Sequence, residues 1–245
     1  MNGGVGFASF VAGYWLKLGL IKNLSGVEKL ELRKVLDDAI KGRISGEKSR
    51  KNTLYIVYSI LSCPQNLIKL EGYRTFLNKL LEEGTLEDLA PAFVALAITQ
   101  YPFFYDVLSS VGTELKAGKE VTANRSFQKV GQRYGEKRRV RVAVGYVFQS
   151  LVDWGLLARA GRGKYHLKSQ VSIQNPELFA IITHGFCNAS GVDSVTVDQI
   201  QEQSAFAFFK FPVWGNQMYR NLSWFEFSVD GAQRVRLTLS KREYE

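Results

Sequence analysis

A mainly α fold, α-rich α+β, is what this sequence predicts, and three observations carry the prediction. Apolar runs at helical spacing, bounded by capping residues and prolines, fill the first 120 positions. Strand-like pairs around glycine turns occur only later, in "GLLARAGRGKYHL" and "WFEFSVDGAQRVRLTLS". The formal charge of +9 sits in one stretch, since residues 125–168 hold eleven Lys/Arg against two acids and the rest of the chain sums to zero. The expected organisation is an N-terminal helical bundle over 1–120, a central helix-and-hairpin module over 121–170, and a small C-terminal α+β domain with a β-hairpin over 171–245. Hydrophobic residues at 46% and charged residues at 22% suit a chain that buries a core, which argues against long disorder.

The elements follow in order. Phe7 to Ile21 reads as a packing helix, because Lys17 interrupts the apolar run before the roughly 20 residues a membrane span needs. Ser25-Gly26-Val27-Glu28 has the spacing of a capping box and opens a helix to Ile40, ended near Gly42. Glu47 to Ser62 is the next helix, stopped by Pro64, and Gly72 to Glu83 follows, closed by Gly84. Pro91 suits the first turn of a further helix, where its missing amide costs nothing. "APAFVALAITQ" is apolar all round and belongs at the centre of the bundle. Tyr101-Pro102 breaks it, and Phe103 to Lys116 makes one more helix before Gly118.

From Thr122 the rhythm changes. Asn124–Tyr134 and Glu136–Trp154 read as two helices with a tight break at Gly135, then two short strands turn around 160–163. On a helical wheel Val140, Ala143, Val144, Val147, Leu151 and Trp154 form the core stripe, with Arg138, Gly145 and Gln149 opposite and Arg141 on the flank. Val142 and Val152 interrupt that polar face, so neighbouring protein is expected to cover part of it. Beyond the hairpin, Pro176–Phe186 and Val197–Gln203 read as helices, and Asp230-Gly231 is a strong hairpin turn signal. The helix, linker and basic hairpin of 136–167 find an echo at 216–239, so the last domain is also readable as a second copy of the central module.

A clustered positive charge makes a local field that attracts polyanions, whereas a solubility charge would be spread. Arginine grips phosphate or guanine edges and glutamine pairs with adenine, so the candidate nucleic-acid-binding residues are Arg133, Lys137, Arg138, Arg139, Arg141, Gln149, Arg159, Arg162, Lys164 and Lys168. Secondary candidates are Arg43, Lys48, Arg50 and Lys51 in "KGRISGEKSRKN", and Arg234 and Arg236, which alternate with Val235 and Leu237 on one strand face. The late aromatic run "AFAFFKFPVWGNQMYRNLSWFEF" could stack bases, but core burial explains it more simply.

Catalytic signals are missing. His166 and His184 are the only histidines, and neither has a Cys or Asp at metal-ligand spacing. There is no phosphate-cradling GxxxxGK[ST], and Glu226 lacks the lysine a nuclease Glu-x-Lys would need. No catalytic residue, metal or cofactor is expected. Cys63 and Cys187 form no CxxC pair and read as small buried hydrophobes of a cytoplasmic protein.

Helix, tight turn, helix and basic glycine hairpin, with "SLVDWGLL" leading into "GRGKYHL", resembles a winged helix. That resemblance implies a helix that enters a DNA groove and a wing that lies along the backbone. A wider likeness runs over roughly residues 10–160: "LLEEGTLEDLAPAFVALAITQYPFFYDVL" followed by "RRVRVAVGYVFQSLVDWGLL" is similar in order and spacing to BrxA-type proteins of BREX phage-defence systems. It implies a non-enzymatic DNA-binding accessory protein, although the tail after the hairpin departs from that pattern. The expected partner is double-stranded DNA, with protein partners in a larger complex and no membrane. Two other readings stay open, a scaffold that docks an acidic protein partner through the same module and a binder of RNA or single strands.

Overall fold

The computed structural model describes residues 5–62, 71–222 and 224–240. These residues form a mainly α protein with three small sheets. The N-terminal region holds α1 (Gly13–Leu24), α2 (Lys29–Lys41), α3 (Glu47–Leu61), α4 (Glu71–Glu83) and α5 (Leu86–Gln100). Every residue of α5 from Leu89 to Ile98 is buried, which puts this all-apolar helix at the centre. α6 (Pro102–Lys116) begins with proline in its first turn, where the missing amide is harmless.

Then come β1 (Val121–Thr122), α7 (Ala123–Tyr134), α8 (Arg138–Asp153), β2 (Leu157–Gly161) and β3 (Lys164–Leu167). The remainder is β4 (Val171–Ser172), α9 (Pro176–Ser190), β5 (Ser194–Thr196), α10 (Val197–Glu202), β6 (Phe209–Lys210), α11 (Asn216–Arg220), β7 (Phe225–Val229) and β8 (Val235–Leu239). β4 and β6 pair in parallel, while the other two sheets are antiparallel. Buried side chains from all three stretches of the chain form one contiguous core, in which α9 packs along α5. The late aromatics belong to it: Phe206, Phe208 and Phe209 are buried, and Phe211, Trp214 and Tyr219 ring Phe179.

One order of elements occurs twice. α6-β1-α7-α8-β2-β3 forms a sheet of order β1-β3-β2, and α9-β5-α10-α11-β7-β8, interrupted by β6 between α10 and α11, forms one of order β5-β8-β7. α6 and α9 are both 15 residues long, both start at proline, and lie 74 positions apart. The Val-Thr step that ends β1 and caps α7 recurs at the same offset, with Thr122 accepting from the Arg125 amide and Thr196 from the Gln199 amide. In the second unit the third helix has shrunk to the five residues of α11, and a stretch holding a 3-10 turn at Ser204–Phe206 and strand β6 is inserted before it. That turn lies against α6 so closely that a Cβ at Gly112 would fall 1.6 Å from the Ser204 carbonyl oxygen, leaving room for glycine alone.

Several expectations need correction. Helix α1 starts at Gly13 rather than Phe7, because the backbone of Val11 is engaged with α8 instead of with its own turn. Ser25 and Glu28 form no capping box: the Ser25 hydroxyl donates back to Ile21 O, closing α1, and α2 starts without a side-chain cap. Thr85 and Asp88 make the true capping box of α5, so Pro91 lies inside that helix rather than at its first turn. The last hairpin is not a two-residue Asp-Gly turn. The Asp230 carboxylate accepts from the amides of Ala232 and Arg234 and organises a five-residue loop. Pro64 and Cys63 lie outside the described residues, whereas Cys187 is buried.

Candidate nucleic-acid interface

The site rests on how α8 is held. Val140, Ala143, Val144, Val147, Phe148 and Leu151 are buried, as is Trp154 just beyond the helix. Burying the five large apolar side chains of α8 contributes about 8–15 kcal/mol before entropy is counted. Arg138, Arg139 and Arg141 crowd the positive end of the helix dipole, a misplacement costing about 0.3–1 kcal/mol each. Packing therefore wins easily, and the cations are not there for the helix's sake. The far end of α8 is clamped by the extended segment before α1. The Val11 amide donates to Ser150 Oγ at 3.0 Å, Trp154 Nε1 donates to Val11 O at 3.0 Å, and the Gly13 amide donates to Asp153 Oδ2 at 2.8 Å.

Opposite the core stripe the helix is open. Arg138, Arg139, Arg141 and Gln149 are exposed, Gly145 is half-buried, and a Cβ there would meet nothing within 4 Å. Val142 is 44% exposed, so the expected cover over it is absent among the described residues, while Val152 does pack against the core. Arg141 is fixed in place: its Nη1 donates to Asn124 Oδ1 at 3.2 Å and its guanidinium lies 4.3 Å from the centroid of Phe127.

The hairpin comes up beside it. β3 is the middle strand, Gly163 takes a positive φ of 70° in the turn, and the pairing slips between Arg159 and Gly161. The turn meets the start of α7, where the Ala123 amide donates to Gly163 O. Arg125, Arg141, Arg162 and Lys164 thereby line one groove of about 610 Å³ with Asn124 and Gln128. Arg125, Asn124 and Gln128 were not singled out from the sequence, because only the contact between hairpin turn and α7 brings them to the site.

Arg141 apart, the predicted cations divide into two sets. Arg133 pairs with Asp106 at 2.9 Å, Lys164 with Glu120 at 3.1 Å, and Lys168 with Glu87. Asp106 also accepts from the Tyr134 hydroxyl at 2.7 Å, and burial first, then that carboxylate, raises the phenol's pKa. Lys137, Arg138, Arg139, Arg159 and Arg162 are exposed and have no ion pair or hydrogen bond from their side chains among the described residues. Free cations without acid partners are the groups a polyanion can neutralise.

The secondary candidates lie elsewhere. Arg43 reaches Asp153 at the far end of α8, about 22 Å along the helix from Arg138. Arg50 pairs with Asp37 and Lys51 with Glu47, leaving Lys48 exposed. Arg234 and Arg236 do not share an open strand face: Arg234 is in the loop on Asp230, and half-buried Arg236 donates to Ser194 Oγ. His184 is 1% exposed and burial takes its pKa down to about 4, whereas His166 is exposed on β3. Among the described residues no three His, Cys, Asp or Glu are grouped to hold a metal, and no helix is long and apolar enough to cross a membrane.

No family model, curated protein or solved structure matches the chain.

Proposed function

We propose that this is a non-enzymatic, cytoplasmic DNA-binding accessory protein that grips duplex backbone through α8 and the β2–β3 hairpin. On this reading both six-element units are winged-helix modules, and the first one does the binding. The element order and sheet order support that assignment, since α8 then takes the groove position and the Gly163 turn is the wing tip. The observation that carries the function is the set of five exposed cations whose side chains make no ion pair or hydrogen bond among the described residues, Lys137, Arg138 and Arg139 on the helix side and Arg159 and Arg162 on the hairpin. In the second unit the shortened α11 offers Arg220, whose guanidinium lies 5.0 Å from the centroid of Phe227. The likeness to BrxA-type proteins adds a setting, a phage-defence assembly in which this chain is the DNA-holding component.

The test is binding of the full chain to duplex DNA, single-stranded DNA and RNA across a salt series. Charge reversal of Arg138, Arg141 and Arg162 is expected to weaken duplex binding sharply and flatten its salt dependence. Unchanged affinity in that variant would overturn the proposal. A co-purifying acidic protein with no nucleic-acid affinity would point to docking instead.

A further inference from the structure

A pocket of about 500 Å³ opens beside the groove, between the end of α6 and the outer face of α7. Its size falls within the range of about 300–1,000 Å³ found for small-molecule sites. Thr113, Lys119, Arg125, Gln128, Lys129 and Gln132 are exposed around it, and Glu114 is the one buried residue that lines it. Glu114 is 4% exposed, and its Oε2 is buried with no hydrogen-bond partner among the described residues. A carboxylate only accepts hydrogen bonds, so this oxygen lacks a donor that the fold does not supply. The matching position of the second unit, 74 residues on, is Asn188, whose Nδ2 is likewise buried without a partner. Both units thus keep a polar group where an apolar side chain would simply fill space.

We infer that this pocket is a guanine subsite, with the Glu114 carboxylate accepting from guanine N1–H and N2–H2 and the rim cations holding the attached phosphate. Guanine is the base with two adjacent donors on its Watson–Crick edge; adenine and cytosine present one donor beside an acceptor, which a carboxylate would repel. Lys119, Arg125 and Lys129 supply the positive rim that a nucleotide phosphate requires. Arg125 and Gln128 line both the pocket and the groove, so a strand lying in the groove can deliver an unpaired guanine without leaving the surface. The inference rests on the nucleic-acid reading of this face only where the guanine comes from a strand; a free guanine nucleotide has the same chemistry.

The experiment uses the full chain with three duplexes that differ in one bulged base (guanine, inosine or adenine), an unbroken duplex, and GMP in calorimetry. The guanine bulge is expected to bind about tenfold more tightly than the adenine bulge, with inosine between them because it lacks the N2 amino group. Glu114→Gln keeps the side chain's shape and is expected to bring the guanine and adenine bulges within about twofold, leaving the unbroken duplex unaffected. Heat from GMP that vanishes in Glu114→Gln supports the subsite with the free nucleotide as source, and a bulge preference without GMP heat supports it with the strand as source. Equal affinity of the native chain for guanine and adenine bulges together with no GMP heat overturns it, as does a guanine preference that survives Glu114→Gln. Loss of unbroken-duplex binding with GMP heat intact would instead overturn the DNA-binding reading and leave the pocket standing.

Discussion

Counting phosphates gives the sharpest check on the interface. The side chains of Lys137, Arg138, Arg139, Arg159 and Arg162 make no ion pair or hydrogen bond among the described residues, so each is free to replace condensed counterions on duplex DNA. At about 0.9 per neutralised phosphate, five contacts give a log–log salt slope of about −4.5. Between about 50 and 200 mM salt that slope costs about 500-fold in affinity. Replacing Arg138, Arg139 and Arg162 together by Ala leaves two of the five, for a slope of about −1.8 and a loss of about 12-fold over the same range. Fluorescence anisotropy on a short labelled duplex at four or five salt concentrations measures both slopes. Lys168→Ala is the control, because its cation already sits on Glu87, and its slope is expected to stay within about 0.5 of the parent. A folded triple variant whose slope equals the parent's would refute the count, and with it the claim that unpaired cations make the contact.

Two further predictions concern the fold. Gly112→Ala drives a Cβ into the Ser204 carbonyl and should cost about 3 kcal/mol or more in urea unfolding, whereas Gly145→Ala, in open space on α8, should gain about 0.5–1 kcal/mol; equal effects would mean the approach of the 3-10 turn to α6 is not close. His184 is held neutral by burial down to about 4 against 6.5 when unfolded, so the unfolded chain binds the extra proton between those values. Its contribution is complete above about pH 6.5 and lost as pH falls toward about 4, on the order of 3 kcal/mol in all. His184→Leu should flatten that part of a stability–pH profile, and an unchanged profile would place the sensitivity elsewhere.

Helices were legible wherever a run at period 3.6 met a hard boundary, as at Tyr101-Pro102 or Gly135, because those stops are local chemistry. Starts were less legible. Ser25 heads a capping pattern that is not realised, since its hydroxyl is already turned back onto Ile21, whereas the box that does form, at Thr85, was not read from the sequence. Strands of two residues, such as β1, carry no periodicity at all and exist because β3 lies beside them. The repeat was visible only as an echo around 216–239, because α11 shrank and a stretch was inserted before it, while the Val-Thr cap that does repeat is too short to stand out. For the candidate site, charge clustering pointed to residues 125–168. Sorting free cations from paired ones needed Asp106, Glu120 and Glu87, which stand 27, 44 and 81 positions from their partners.

The clamp at the end of α8 also sets an order of events during synthesis. Val11 and Gly13 are made before their partners Ser150, Asp153 and Trp154, which follow about 140 positions later. At about 5–20 residues per second the ribosome takes about 7–28 s to cover that distance. Through that interval Phe7 and Val11, both fully buried in the finished protein, have no finished site to enter. A nascent chain therefore carries an apolar segment that a chaperone can hold, and α8 is locked only when that earlier-made segment closes over its end.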